Sequence, residues 1–215
     1  PGLELKPMQA EGYPQSVCPA ADVVCLWTPP KPLPPKAPGQ RPQRGPQRLF
    51  LYDLKAGKEI AELPVDPRNS KLDDVETQWT PDGRYLYYCD VEDDPADTSA
   101  GPRKKIRSIA RVWDRVGGKE VGKLVGVYAL GPGPAPTTMV LARRGKPGYR
   151  FCLHDAASKA EWPLGDARLE PIHAWGKQVL YAKDLPDGTE AVYVAEIDMS
   201  AAGGKGASAA PEADE

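Results

Sequence analysis

Clustered acidic side chains between residues 90 and 97 are the most evident candidates for chemistry in this sequence. Asp90, Glu92, Asp93, Asp94 and Asp97 stand close together, and hard cations such as Ca²⁺ bind carboxylate oxygens. Their spacing lacks the glycine and the distal glutamate of an EF-hand loop. We therefore expect a solvated acidic loop here rather than a metal site.

A cysteine and a histidine form the second candidate. Cys152 and His154 alternate onto one face of a predicted strand, but structural zinc needs four ligands and His173 is the only other histidine. We interpret the pair as a core cysteine beside a half-exposed histidine. The chain contains no GxSxG, GxGxxG or GxxxxGK[ST] motif. We therefore predict no catalytic centre, no metal and no cofactor.

The four cysteines lack a CxxC pairing, and we interpret them as buried free thiols. They are Cys18, Cys25, Cys89 and Cys152. A disulfide between Cys18 and Cys25 stays open as an alternative, so the cysteines do not fix the compartment.

Composition favours a globular chain with many turns. The 215 residues are 40% hydrophobic, include 25 Pro and 21 Gly, and carry a net charge of -2, so no overall field attracts nucleic acid or an anionic membrane. No apolar run approaches the roughly 18 residues of a membrane span. The first residues lack both an initiator Met and a signal-like stretch, from which we expect a fragment or a processed chain.

An internal repeat organises the chain. QWTPDGRYLYYC (78–89) aligns with SVCPAADVVCLW (16–27), and IARVWDRVGGKEVGKL (109–124) aligns with RLFLYDLKAGKEIAEL (48–63). Asp114 thereby corresponds to Asp53. A third, degenerate copy follows with Asp155 in this place, and a fourth copy stops after its third strand.

Each full copy contains four short strand candidates bounded by Gly, Pro or Asp, which is typical of a β-propeller blade. In the second copy these candidates are 75–79, 84–90, 106–113 and 119–125. The predicted organisation is an N-terminal strand (1–12), blade 1 (13–66) with an insertion at 28–47, blade 2 (67–126) with an insertion at 91–104, blade 3 (127–166), an incomplete blade 4 (167–199) and a disordered tail (200–215). The five tryptophans recur at strand positions, so we expect them in blade cores rather than on a platform for bases. They are Trp27, Trp79, Trp113, Trp162 and Trp175.

Two segments resemble known propeller families. WTPDGRYLYY resembles the WSPDG element of TolB-like bacterial β-propellers, and RVWDRVGGKEVGKL resembles the end of a WD40 repeat, with Trp113-Asp114 as its WD dipeptide. The Gly-His pair of a WD40 repeat is absent, and the other copies have Tyr52-Asp53, His154-Asp155 and Ile197-Asp198. The resemblance implies an all-β, WD40-like or TolB-like propeller of about three and a half to four blades.

Two accounts of ring closure remain open. LELKP (3–7) alternates apolar and polar residues and would close a four-bladed ring as the outer strand of blade 4. Alternatively, the chain is half of a seven- or eight-bladed ring, and LELKP belongs to a preceding blade. The second account is favoured because four-bladed rings are rare. The missing half, or a second copy, would then be a partner.

Both insertions lie between the second and third strands of their repeats, and the resemblance implies that these connections share the binding face of a propeller. The first insertion is proline-rich and basic, which is typical of a stiff polyproline II arm for a protein partner. The second begins acidic and ends basic. For either one, a solvated insertion without a partner is the alternative.

We therefore predict a non-catalytic propeller scaffold that binds a protein partner through this face. The residues expected to contact the partner are Lys31, Lys36, Arg41, Arg44, Asp90, Glu92, Asp93, Asp94, Arg103 and Lys104. The alternative function is an accessory propeller of a larger hydrolase, since prolyl-oligopeptidase-like peptidases resemble TolB-like propellers in the same WSPDG element. The catalytic domain would then lie outside this chain.

Overall fold

Every regular element in the described part of the chain is a β-strand. The computed structural model describes residues 11–28, 32–33, 43–44, 47–69, 76–97, 105–145, 148–167, 170–184 and 189–196, and no helix occurs within these ranges. The same ranges therefore contain no helix capable of spanning a membrane. The predicted all-β class is confirmed.

The first blade is a four-stranded antiparallel sheet with a small additional hairpin. Its strands and those of the hairpin are β1 (Tyr13–Val17), β2 (Val23–Thr28), β3 (Pro32–Leu33), β4 (Gln43–Arg44), β5 (Arg48–Asp53) and β6 (Lys58–Leu63). The sheet order is β1-β2-β5-β6, and β3 pairs with β4 inside the proline-rich insertion. This pairing corrects the expectation of a polyproline II arm throughout, because the insertion folds back on itself at these residues.

Three further sheets follow in chain order. Their strands are β7 (Thr77–Trp79), β8 (Tyr85–Asp93), β9 (Ile106–Asp114), β10 (Lys119–Val125), β11 (Val127–Pro132), β12 (Thr138–Gly145), β13 (Gly148–Asp155), β14 (Glu161–Ala167), β15 (Glu170–Trp175), β16 (Gln178–Asp184) and β17 (Glu190–Glu196). The sheets are β7-β8-β9-β10, β11-β12-β13-β14 and the three-stranded β15-β16-β17. The prediction of four-stranded antiparallel blades is confirmed, and the described residues of the last blade form three strands.

Strand β8 is longer than the sequence predicted, whereas β9 agrees with its predicted bounds to within one residue. Strand β8 continues through Glu92 and Asp93, which pair with Arg107 and Ile106 of β9, into the stretch expected to form the second insertion. Opposite charges facing each other across neighbouring strands stabilise such pairs. The connection that leaves this sheet therefore spans 94–105.

The middle strands of blades 1, 2 and 3 are largely buried on both faces. Five successive residues of β2, from Val23 to Trp27, are buried, whereas most of the outer strand β6 is exposed. A sheet covered on both sides produces continuous apolar runs instead of strict alternation. This explains why VVCLW and YLYY read as unbroken apolar segments.

Hydrophobic clusters join consecutive blades. One cluster includes Trp27 of blade 1 and Trp79 of blade 2, a second joins Tyr87 of blade 2 to Met139 of blade 3, and a third joins Val140 to Ala174 of blade 4. The described residues contain no equivalent cluster between blade 4 and blade 1. The four blades thus form a consecutive propeller array, and the two accounts of ring closure remain predictions.

An aspartate at the end of the third strand shapes the hairpin turn of each complete blade. Asp53 Oδ1 accepts hydrogen bonds from the backbone N–H groups of Lys55 at 2.9 Å and Ala56 at 2.7 Å. Asp114 and Asp155 accept backbone N–H groups of their own turns in the same way. The aspartate recurs because its carboxylate accepts hydrogen bonds from the backbone N–H groups of the turn. This role does not depend on which residue precedes the aspartate.

The turns between first and second strands connect neighbouring blades at one end of the array. The Asp82 N–H donates to the Pro136 carbonyl at 3.0 Å, and the Gly176 N–H donates to the Pro132 carbonyl at 2.9 Å. Gly83 has a φ of +64°, and a Cβ there would lie 2.5 Å from Cys18 Sγ. The Asp-Gly turn of WTPDG is therefore a site of contact between blades.

Candidate functional site

The connections predicted to carry function meet at the opposite end of blades 1 and 2. The segment from blade 1 to blade 2 packs against the end of β8: the Asp66 N–H donates to both carboxylate oxygens of Asp90 at 3.1 Å, and Asn69 Nδ2 donates to Oδ1 at 3.2 Å. Because β8 leads into the 94–105 connection, blade-to-blade and second-to-third-strand connections share this end of the molecule.

Asp90 is the buried centre of this region. Its side chain is 0% exposed and forms an ion pair with Arg111 Nε at 2.6 Å, while Arg111 Nη1 donates to Glu120 at 2.7 Å. Burial alone would lower the pKa of Arg111, but the hydrogen bonds to Glu120 and Asp90 outweigh burial and hold that pKa above its ordinary value. The structure therefore gives Asp90 a role in anchoring residues 66–69, and its burial does not fit the predicted contact with a partner.

A second group of charges, partly or fully exposed, lies near Asp90 at the end of β8. Glu92 accepts two hydrogen bonds from Arg107, at 3.0 and 2.6 Å, and lies 3.6 Å from the Lys123 ammonium. Arg68 forms ion pairs with both Asp66 and Asp93. We call these five residues the charged patch: Arg68, Glu92, Asp93, Arg107 and Lys123.

The patch presents both signs of charge to solvent. Arg68 and Asp93 have side chains that are 44% and 50% exposed, and the hydrogen bonds from Arg107 hold the pKa of Glu92 below its ordinary value. Exposed pairs of this kind each contribute at most about 1 kcal/mol to folding. Their charges are therefore available to a partner at little loss of stability.

The remaining acidic residues shape the loop. Asp94 Oδ1 accepts the Ala96 N–H at 3.0 Å, and Asp97 Oδ2 accepts the Lys105 N–H at 2.6 Å. Within the described ranges, no group of three or more His, Cys, Asp or Glu side chains is arranged to hold a metal ion. One carboxylate oxygen of each of these aspartates therefore accepts a backbone N–H of the loop.

Most of the predicted basic contacts cannot be placed. Lys31, Lys36, Arg41, Arg103 and Lys104 lie outside the described residues, and Arg44 is described only as a backbone position of β4. The structure thus brings together Asp90, Glu92, Asp93 and Asp94. The contribution of the basic residues stays a prediction.

Sequence reasoning missed the basic half of the charged patch. Arg107 and Arg111 lie four residues apart, and therefore on the same face of β9, opposite the acidic end of β8. Pairing 84–90 with 106–113 in antiparallel register would have placed them there. Arg68 had no such signal, because it belongs to an irregular segment that reaches β8 only in the folded chain.

His154 is buried, which contradicts the expectation of a half-exposed side chain. It is 5% exposed, and its Nδ1 lies 2.5 Å from the Tyr87 hydroxyl of the neighbouring blade. Packing of blade 2 against blade 3 covers the ring. Cys152, on the same strand, is also buried, and burial raises the pKa of its thiol.

The other cysteine and tryptophan predictions have mixed outcomes. Cys18 and Cys25 are free thiols in the structure, so the alternative of a disulfide between them is not realised. Three tryptophans lie in the core between blades 1 and 2, as predicted: Trp27, Trp79 and Trp113. Trp162 is partly buried, but Trp175 is 77% exposed at the end of β15, which contradicts a core position.

Comparisons with known proteins support the architecture alone. No protein-family model matches the chain, and no curated protein matches it. Among solved structures, an uncomplexed acylaminoacyl peptidase from Pyrococcus horikoshii matches 81% of this chain at 11% identity and a TM-score of 0.51. An acylaminoacyl peptidase in complex with Z-Gly-Gly-Phe-chloromethyl ketone matches 85% at 12% identity and a TM-score of 0.51.

This chain spans 29% and 31% of the length of those two structures. Identities this low show a shared fold, here the β-propeller, and no shared activity. The finer resemblance to TolB-like or WD40 families stays a prediction.

Proposed function

We propose that this chain is a non-catalytic β-propeller domain that binds a protein partner through the end of blades 1 and 2 carrying the charged patch. The observation that carries the proposal is the unequal length of the second-to-third-strand connections. Those of blades 1 and 2 span 29–47 and 94–105, whereas blade 3 has only residues 146–147 there. Extended loops on a rigid scaffold are where binding residues concentrate.

The chemistry of this end suits a protein surface. Arginines are enriched at protein interfaces, and charges of both signs on one patch fix the register of a complementary partner. Ile106, the first residue of β9, adds an apolar side chain that is 45% exposed beside these charges. An apolar contact surrounded by polar groups is the usual arrangement of an interface.

A matched pair of variants tests this surface. Ile106 and Val116 are exposed apolar residues near opposite ends of β9, with exposures of 45% and 69%. We expect Ile106→Asp to abolish capture of a partner from an extract of the source organism. Val116→Asp should leave the same partner bound. Equal loss in both variants, or no loss in either, would refute the assignment of the binding end.

A second function is favoured by the likeness to acylaminoacyl peptidases. In this account the propeller positions or gates substrate for a hydrolase domain located elsewhere in the natural protein. The complete reading frame distinguishes the two functions, because a GxSxG motif followed by Asp and His would support the hydrolase. Hydrolysis of an acylated peptide by the complete protein, abolished by substituting that serine, would replace the scaffold proposal.

A further inference from the structure

A cavity of about 260 Å³ lies between blades 2 and 3, and one of its lining residues, Lys123, also belongs to the charged patch. Strand β10 contributes Val121 and Leu124, and blade 3 contributes His154 together with residues of its last hairpin turn. Small ligands are typically bound in cavities of mixed character, where apolar walls accompany a few polar groups. This cavity has both.

The histidine offers the cavity a hydrogen-bond donor. In the described part of the chain, the buried Tyr87 hydroxyl has the Nδ1 atom of His154 as its only hydrogen-bond partner, at 2.5 Å. We assign Nδ1 as the acceptor of the Tyr87 hydroxyl proton, which places the ring hydrogen on Nε2. Burial lowers the pKa of His154 and keeps the ring neutral at pH 7. His154 lines the cavity, and its Nε2–H is the ring donor that the contact with Tyr87 leaves unused.

The backbone at the cavity is strained at a lysine. Lys159 has a φ of +63°, and it is the only non-glycine residue with a positive φ within the described ranges. The equivalent turn positions of blades 1 and 2 are Gly57 and Gly118, with φ values of +65° and +61°. A side chain kept in the left-handed region against this preference points to a function for that side chain.

The charges around the cavity leave one cation unbalanced. Lys123 is 3.6 Å from Glu92, and Glu161 is 3.6 Å from Arg143, so these charges are offset. Lys159 lines the cavity and makes no ion pair with any described residue. The unbalanced charge at the cavity is therefore the positive charge of Lys159, and the neutral imidazole of His154 lies at the same cavity.

We propose that this cavity binds a small organic anion, whose carboxylate accepts hydrogen bonds from the Lys159 ammonium and the His154 Nε2–H. Val121 and Leu124 contact its apolar body. Two donors match the two oxygens of one carboxylate, and a charged partner makes such bonds stronger than neutral ones. The site shares Lys123 with the charged patch, but the carboxylate contacts proposed here come from Lys159 and His154 and do not depend on the proposed protein partner.

A titration with phenylacetate tests the proposal, with phenylacetamide as the neutral molecule of the same shape. Binding is followed by NMR through the backbone amide of Gly122 and the imidazole signals of His154, both of which line the cavity. We expect phenylacetate to shift these signals to saturation and phenylacetamide to bind about tenfold more weakly or not at all. Equal binding of the two compounds, or shifts elsewhere only, would overturn the proposal.

Variants of the lysine separate binding from folding. Lys159→Met should weaken phenylacetate binding about tenfold, whereas Lys55→Met, at the exposed turn of blade 1, should leave it unchanged. Lys159→Gly should also weaken binding, yet raise the melting temperature of the free protein by about 2 to 4 °C through relief of the strained backbone. Unchanged binding in both Lys159 variants would contradict the assigned role, as would inorganic phosphate competing more strongly than phenylacetate.

Discussion

The last hairpin turn of each complete blade offers a test of how the repeat is built. In blades 1 and 2 the residue with positive φ is glycine, whereas blade 3 has Lys159 at a φ of +63°. If the three turns are equivalent, Lys159→Gly should stabilise the protein and Gly118→Ala should destabilise it. Lys159→Gly places the preferred residue in the left-handed conformation in blade 3. Gly118→Ala places a disfavoured residue in the same conformation in blade 2.

The magnitudes follow from the backbone. A non-glycine residue in the left-handed region makes the folded state less stable by roughly 1 to 2 kcal/mol. Glycine avoids this cost, but its greater conformational freedom in the unfolded chain lowers the free energy of unfolding by about 0.5 to 1 kcal/mol. Each substitution should therefore change the free energy of unfolding by about 1 kcal/mol, which corresponds to about 2 to 4 °C at this chain length. A Cβ at Gly118 would meet no atom within 4 Å, so no steric clash adds to the effect.

Urea unfolding, followed by far-UV circular dichroism, measures both changes. Gly122→Ala is the control because this glycine has no positive φ and a Cβ there would make ordinary contacts of 3.8 Å with Val112. We expect the control to lose no stability. The equivalence of the turns would be refuted if Lys159→Gly were neutral or destabilising, or if Gly118→Ala lost no more than Gly122→Ala.

Three further predictions concern burial. Asp90→Asn removes the buried negative charge that pairs with Arg111 and should lower the free energy of unfolding by about 3 kcal/mol. A loss below about 1 kcal/mol in urea unfolding would contradict the anchoring role of Asp90. The pKa of His154 lies below its unfolded value of 6.5, so its contribution to stability is complete above that pH and is lost as the pH falls below it. The melting temperature measured from about pH 7.5 to about pH 5 should fall less in His154→Gln than in the wild type, and parallel curves would contradict this. Gly131→Ala would place a Cβ 1.9 Å from the Ala174 carbonyl oxygen, so thermal unfolding should show a severe loss; wild-type stability would refute the close approach of blades 3 and 4.

The repeated turns made the fold predictable from the sequence. The Asp-Gly and Gly-Gly turns are local signals, because their amides are satisfied by the preceding aspartate and their glycines tolerate positive φ. Once Asp53 and Asp114 are aligned, the strands on either side follow from their apolar runs. Local chemistry thus determines the four-stranded blades.

The candidate site was less predictable because it depends on contacts between distant segments. Asp90 belongs to an acidic run that resembles a solvated loop, and only the register of β8 against β9 brings Arg111 to it. His154 appeared half-exposed because the residue that covers it, Tyr87, belongs to another blade. Tertiary packing, which leaves no local signal, decides both.

Hydrogen exchange of the protein with and without its captured partner tests the central claim most directly. We predict slower exchange on binding in residues 64–69, 91–97 and 105–107, which form or flank the charged patch. The turn at 115–118, at the other end of blade 2, should exchange equally in both states. Protection of 115–118 with no change around the charged patch would contradict the proposed binding end.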